Sequence, residues 1–404
     1  MINATTFRER RDRLRAMISN AVVLLDGAVE DARGDMRGGF FQDASFGWLS
    51  GWLEPGARML LLPIAEKDNL GDVLFLPDQD PERTLWTGPM RDARDEQIRH
   101  LTGFGCVRRA CEYERTLMNA LRRYPRTLCL SNTPSREALQ RVLPLREVAS
   151  LEPLLAQLRM RKSDAEVAAI REAIAITIQG QLRSWRSLQR AHFEYGVVAD
   201  VTHEFLRLGA ERHAFTPIVA AGANGCALHY TKCRGALEKG MLTVVDIGAE
   251  RAGYCGDLTR TIPVGGRFSQ RQKNLYQAVL HVQKSVIAAV RPGMSISRYV
   301  PGSLHQLAVA MLEEIPLRKG GRPLSTAFPH GIGHHLGAEV HDLHDVNTLL
   351  EPGMVITVEP GVYLPEEGIG IRIEDNVLVT ETGCEVLSAA LPKEVDEIEE
   401  LLAA

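Results

Sequence analysis

The chain has 404 residues, 45% of them hydrophobic, which is enough for two cores of ordinary domain size. Its 47 basic and 51 acidic residues leave a formal charge of -4, which speaks against a general nucleic-acid or membrane-surface binder. No apolar run approaches the roughly 18 residues of a membrane span, and the N-terminal arginines alternate with Glu9 and Asp12 where a signal peptide would be apolar; the expectation is a soluble cytoplasmic protein.

Seven cysteines, at 106, 111, 129, 226, 233, 255 and 384, include no CxxC pair and read as reduced thiols. Residues 7–18 have the spacing of an amphipathic helix, with Phe7, Leu14, Met17 and Ile18 apolar and the arginine run read as a solvated face. Short β-rich runs follow at 21–25, 59–62, 73–76 and 127–130, with helical patterns at 114–123 and 135–142. This alternation predicts an α/β domain of about 150 residues. Within it, 38–52 is rich in aromatics and glycines, and suits either core or a surface that covers another chain's active site.

The boundary falls near 150–162. Ser163 and Glu166 form a capping box, and Val167, Ile170, Ile174, Ile178 and Leu182 continue a long helix behind it. A second helix is predicted at 197–209. Residues 216–231 then read as strand, glycine loop, strand, with His229 near the end. By itself such a histidine is more often a hydrogen-bonded core residue than a catalytic one.

Two β-rich runs, 242–249 and 254–262, flank a connection at 250–253 and predict a hairpin. Symmetric pairing about that connection sets Asp246 opposite Asp257, with β-carbons roughly 4.5–5.5 Å apart. Carboxylates that close repel unless a cation lies between them. Two helices, 269–290 and 296–314, come next, separated by the breaker Arg291-Pro-Gly293.

Residues 329–344 hold five of the chain's twelve histidines. The pattern is not HExxH, and Gly331, Gly333 and Gly337 argue against a helix. A second predicted hairpin, 354–359 with 371–374, sets Glu359 opposite Glu374 in its symmetric register. The ordinary role of a lone acid is on a solvated strand face, but two opposed pairs in apolar strands do not fit it. Four carboxylates and an imidazole make a site for two hard or borderline divalent cations.

LHYT at 228–231, VVDIGAE at 244–250, GDLTRT at 256–261, HGIGHHLGAEVHD at 330–342, VITVEPGVY at 355–363 and GIGIRIEDNVLVT at 368–380 together resemble the aminopeptidase P and prolidase branch of the pita-bread metallopeptidases. The resemblance implies an α+β fold, with a pita-bread catalytic domain over 156–404 and a smaller α/β accessory domain over 1–155. It implies two metal ions, manganese first, with cobalt or zinc as alternatives. Their ligands would be Asp246, Asp257, His334, Glu359 and Glu374, with Asp257 and Glu374 bridging. His334 is chosen because its distance to His341 matches the family's ligand and second histidine, which leaves His330 and His335 as structural neighbours.

By the same resemblance Glu359 also relays a proton, His229 and His341 hold the substrate carbonyl, and Tyr363 and Arg372 aid proton movement and order the site. The implied substrates are short proline-containing peptides and the implied assembly is a homodimer or homotetramer. Within the branch, FxxRRxxL at 7–14 and DPERTLWTG at 80–88 are nearer to aminopeptidase P than to the dipeptide-specific prolidase. Two rivals remain: a methionine aminopeptidase, and a metal-free relative that keeps the fold as a binding module. Metal-free relatives lose ligand carboxylates, whereas all five ligand positions are filled here.

Overall fold

The structure is a computed structural model that describes residues 2–30, 39–63, 71–131, 133–316 and 321–403. The chain divides after Leu158 into two compact units. In the first, strands β1 (Ala21–Asp26), β2 (Arg58–Leu61), β3 (Asp72–Leu76), β4 (Cys106–Arg109), β5 (Arg126–Cys129) and β6 (Glu147–Ser150) form one sheet in the order β4-β3-β2-β1-β5-β6. The sheet is mixed: β1–β2 and β2–β3 are antiparallel, while β1–β5, β3–β4 and β5–β6 are parallel. Val22, Leu24, Leu60, Val73 and Phe75 of the central strands pack with Tyr113, Leu117 and Leu121 of helix Tyr113–Arg123, whose spacing of four gives the helix one apolar face. Strands β4 and β6 are edge strands with sequences Cys-Val-Arg-Arg and Glu-Val-Ala-Ser, too polar to register as β-rich runs.

The N-terminal helix, Ala4–Met17, departs from its expected solvated basic face. Arg10 and Arg11 are both buried. The Arg11 guanidinium pairs with Asp72 at 2.7 Å, donates to the carbonyls of Leu49 and Thr102, and lies 3.8 Å from the centre of the Phe104 ring. A guanidinium presents five donors in a fixed fork, so it can close off several carbonyls at once where a helix packs on loops. In the aromatic segment Phe46, Trp48 and Trp52 are core and Phe41 is exposed; Gly38 lies outside the described residues.

In the second unit, helix Asp164–Leu188 starts at the Ser163–Glu166 capping box and packs along helix Glu194–Arg207. The sheets lie beside them. After the two-residue strand β7 (Arg212–His213), strands β8 (Ile218–Ala221), β9 (Leu242–Ile247) and β12 (Leu258–Pro263) make one, in the order β12-β9-β8. Strands β13 (Val355–Val358), β16 (Asp375–Val379) and β17 (Cys384–Val386) make another in the order β13-β16-β17, while β14 (Gly361–Leu364) pairs with β15 (Ile369–Arg372). The predicted helix at 269–290 is found at Gln270–Ala289, but the one at 296–314 is confined to Leu304–Glu313. Pro301 and Gly302, the latter at φ 72°, break it.

The first acid hairpin turns more tightly than expected. Short strands β10 (Ala249–Arg251) and β11 (Tyr254–Cys255) carry the ladder to Arg251↔Tyr254. Only Ala252 and Gly253 remain in the turn, both at positive φ as a type I′ turn demands. Every partner therefore shifts by two relative to the four-residue connection, and Asp246 faces Thr259 instead of Asp257. A shift of two leaves each side chain on its original face, so Asp257 is a diagonal neighbour of Asp246. In the second hairpin the register is the expected one: Val358↔Asp375 and Gly361↔Arg372 bracket Glu359 and Glu374.

Candidate metal centre

Each acid stands where a ladder starts, ends or breaks. Asp246 is within β9, and Asp257 occupies the gap between β11 and β12. There the Asp257 backbone pairs with the Asn376 side chain, its N–H donating to Oδ1 at 3.1 Å and its carbonyl accepting from Nδ2 at 2.5 Å. Glu359 follows β13, and Glu374 precedes β16. The glycine-rich histidine loop runs along the outside of β13: the Thr357 N–H donates to the His334 carbonyl, and the Glu359 N–H to the Ile332 carbonyl, both at 2.9 Å. Glycine is required at 333, because a Cβ there would stand 2.0 Å from the Thr357 carbonyl oxygen.

These elements bring all five predicted ligands to one wall of a cavity of about 490 Å³. His334 Nε2 is 3.3 Å from an Asp257 oxygen and 3.5 Å from a Glu359 oxygen. Ligand atoms of Asp257, His334 and Glu374 all lie within 4.8 Å of one another. Thr259 donates to Glu374 at 2.7 Å and Thr357 to Glu359 at 3.1 Å, fixing both carboxylates. The buried Arg372 guanidinium donates to Asp246 at 2.6 Å and to the Tyr363 hydroxyl at 2.9 Å, and His330 Nε2 lies 2.9 Å from that hydroxyl. His229, His330 and His341 also line the cavity, together with the apolar side chains of Phe215, Ile218, Leu228 and Val340. The His341 ring centre is 4.3 Å from that of His334, whereas His335 turns away and stacks on His344.

Sequence reasoning did not single out Thr259, Thr357 or Asn376. Thr259 and Thr357 are each two residues from a ligand, hence on the same strand face, and that offset is a usable signal for carboxylate-orienting hydroxyls. Residues 227–235 are irregular, not the second strand expected after the glycine loop, so His229 stands on a loop.

The electrostatics of the wall are those of a site built for cations. Burial, together with the charge of Asp246, pushes the Asp257 carboxyl up to about 7 against the opposing hydrogen bond from His334. Burial and the charges of Asp257, Glu359 and Asp246 hold Glu374 well above the usual carboxylate range. Burial works against a charged His334, but Asp257 and Glu359 outweigh it and raise the imidazole to about 9. One Asp246 oxygen is buried with no hydrogen-bond partner among the described residues. An orphaned carboxylate oxygen among acids that cannot all ionise together fits a pair of divalent ions.

The direction of these shifts predicts a pH dependence for the metal-stripped protein. Asp257 and His334 are both raised on folding, so the folded state keeps protons that the unfolded chain has released, and stability declines as pH rises. Between pH 7 and 9 the histidines lowered by burial, such as His335 and His341, are neutral when folded and mostly neutral when unfolded, so they add only a small opposing slope near pH 7. The stripped protein should lose on the order of 2 kcal/mol across that interval, most of it from His334, with Glu374, raised likewise, adding in the same direction, and the metal-loaded protein should lose much less. Urea titrations at the two pH values measure it, and a flat or rising apo stability would contradict the assignment.

Acids this crowded persist in a folded chain when cations neutralise them, and cations beside an open cavity activate water, so the class is a metal-dependent hydrolase. The chain belongs to metallopeptidase family M24, whose model matches residues 168–381, and the model of the aminopeptidase P N-terminal domain matches residues 7–129. The chain is 35% identical to the Xaa-Pro aminopeptidase of Haemophilus influenzae over 98% of its length and 96% of that protein's. It is 33% identical to the Xaa-Pro aminopeptidase of Escherichia coli, over 100% of its own length and 98% of that protein's. Among solved structures, aminopeptidase PepP of Pseudomonas aeruginosa superposes with a TM-score of 0.88 at 31% identity, covering 100% of this chain and 98% of that one. The aminopeptidase P of Escherichia coli with the inhibitor Pro-Leu also gives 0.88, at 30% identity and the same coverage. The fold is thus the two-part α+β architecture expected, and the enzyme is a metallopeptidase that holds divalent ions.

Proposed function

We propose that this protein removes the N-terminal residue from short peptides whose second residue is proline, using two divalent ions, manganese by preference. The observation that carries this reading is the convergence of Asp246, Asp257, His334, Glu359 and Glu374 in the lining of one cavity, which apolar side chains such as Phe215, Ile218, Leu228 and Val340 complete. Two ions bound there supply a water acidic enough to ionise near neutral pH and a Lewis acid for the scissile carbonyl.

The chain's residues do the rest. Glu359, oriented by the Thr357 hydroxyl, takes the proton of the attacking water and passes it to the departing nitrogen. The scissile nitrogen is proline's own tertiary amide nitrogen, and like any peptide nitrogen it leaves as an amine only once that proton is delivered, here as a secondary amine. His229 and His341 donate to the carbonyl oxygen as its charge grows. Arg372 holds Asp246 and Tyr363 together, which keeps one ligand oxygen turned toward the ions and the phenol within reach of the proton path. Seven cysteines, all free, suit a reducing cytoplasm, and the branch resemblance suggests a dimer or tetramer.

The substrate class is tested by comparing Arg-Pro-Pro with Ala-Pro and Ala-Ala-Ala. The tripeptide with proline second should be cleaved fastest, whereas exclusive cleavage of Ala-Pro would make the enzyme the dipeptidase of the same branch. A second expectation separates ligand from donor: His341→Ala should lower kcat by roughly a hundredfold while metal content stays at the wild-type level. Arrival of that variant without metal would mean that the two histidines have been exchanged in their roles.

A further inference from the structure

The His229 imidazole makes no hydrogen bond with another described residue, so its place over the cavity is set by the backbone that carries it. That backbone, 221–235, is a loop with few ladder contacts of its own: Ala221 ends β8, residues 222–226 make a 3₁₀ turn, and the remainder is irregular. Its two ends converge on one side chain, Glu194, the first residue of helix Glu194–Arg207.

We propose that Glu194 is a positioning residue for His229, its carboxylate clamping both ends of the loop that holds the imidazole over the cavity. Glu194 is fully buried, and among the described residues it forms no ion pair with lysine or arginine. Instead it accepts three hydrogen bonds from the loop. One oxygen takes the Ala221 N–H at 2.8 Å and the Asn224 amide at 3.0 Å, and the other takes the Gly235 N–H at 2.6 Å. The Glu194 backbone N–H donates in turn to the Gly235 carbonyl at 3.0 Å, so the far end of the loop is held from both sides.

The fit leaves no slack. A Cβ on Gly235 would stand 2.5 Å from the Asn224 amide and 2.7 Å from a Glu194 oxygen, and one on Gly225, at the other end, would stand 3.0 Å from the Ala220 carbonyl oxygen. Near the tip the Tyr230 hydroxyl accepts the Arg234 N–H at 3.3 Å, closing the turn that bears His229. The same phenol also interacts with the Glu194 carboxylate, and a carboxylate binds such donors more tightly than a neutral acceptor would, while an unsatisfied donor left inside would be costly. The clamp therefore transmits geometry to His229 without touching substrate or metal.

This inference rests on the role given to His229 above, and the experiment separates the two. Glu194→Gln keeps the shape but sets an NH2 group against an N–H at one end of the loop. It should lower kcat roughly ten- to a hundredfold, the range expected of a small misplacement of a reacting group, with metal content unchanged. In a His229→Ala background the same substitution should cost less than about twofold more, because the residue through which it acts is gone. Asn224→Ala removes a donor from the same clamp while leaving Glu194 in place, and serves if Glu194→Gln does not fold. It should move kcat in the same direction, with the same loss of effect in the His229→Ala background.

Multiplicative losses in the double variant would overturn the proposal, as would a fully active Glu194→Gln enzyme. If His229→Ala alone leaves kcat unchanged, the carbonyl-holding role of His229 fails and the clamp fails with it. If His229→Ala is impaired and neither clamp variant is, the clamp alone fails.

Discussion

Glu374→Gln should abolish Xaa-Pro hydrolysis, lowering kcat/KM by at least about a thousandfold, and a chelator should do the same to the unaltered enzyme until Mn2+ is restored. The size follows from what is removed. Glu374 is almost wholly buried, is oriented by the Thr259 hydroxyl and shares a ligand cluster with Asp257 and His334, so an amide there withdraws a charge and a donor oxygen together. Several kcal/mol of charge stabilisation at the carbonyl and at the ionising water go with it. The substitution should not unfold the chain. In the stripped protein burial and the charges of Asp257, Glu359 and Asp246 disfavour an ionised Glu374, so a neutral amide of the same shape should leave the apo variant at least as stable as apo wild type, even though it binds metal less well. That opposition, activity lost while apo stability is kept, is what distinguishes a ligand from a packing residue. A chelated enzyme that still cleaves Arg-Pro-Pro would sink the metallopeptidase mechanism.

The site was legible in the sequence because strand periodicity is a strong signal and the acids interrupt apolar β runs. Glu359 and Glu374 follow from simple symmetry about the 365–368 turn, and the ladder on either side has that register. The first hairpin was harder. Ala252 is an uncommon residue for a left-handed turn position, so its two-residue turn was read as four, and the direct partner of Asp246 became Asp257 instead of Thr259. The error was harmless to the site because parity survives a shift of two.

What sequence could not supply were contacts between residues remote along the chain that carry no local pattern. The burial of Arg10 and Arg11 depends on carbonyls of Trp48, Leu49 and Thr102, and composition alone assigns such a run to solvent. Edge strands β4 and β6 were missed for a related reason, since their pairing partner dictates the conformation and their own residues do not. His229 was expected on a strand, but the chain leaves the sheet at Gly222, at φ 55°, and turns through residues 222–226, where Glu194 gathers donors from a segment remote along the chain.

Directly beneath the ligands a second charge cluster governs stability. Arg260, on the face of β12 opposite Thr259, is fully buried, and its guanidinium donates to the carbonyls of Glu374, Leu391 and Pro392 and to Asp375 at 2.8 Å. Asp375 also accepts from Lys393 at 2.6 Å, Gln283 at 2.7 Å and Ser388 at 2.8 Å. Burial opposes its ionisation, yet Arg260 and Lys393 outweigh burial and hold the carboxyl well below its usual range. Asp375→Ala should therefore cost about 3–5 kcal/mol, because it strands a buried guanidinium that pairs with no other carboxylate among the described residues. Replacing both partners, Asp375→Ala with Arg260→Leu, should recover part of that loss, since the penalty lies in the unpaired charge more than in the lost attraction. Because Arg260 also grips the Glu374 carbonyl, the single variant should bind metal more weakly than its residual fold would suggest, and added Mn2+ should raise its thermal midpoint. Urea titrations of the two variants at fixed metal concentration measure the difference. A loss below about 1 kcal/mol for the single variant would mean that water reaches the guanidinium and that the cluster is not sealed.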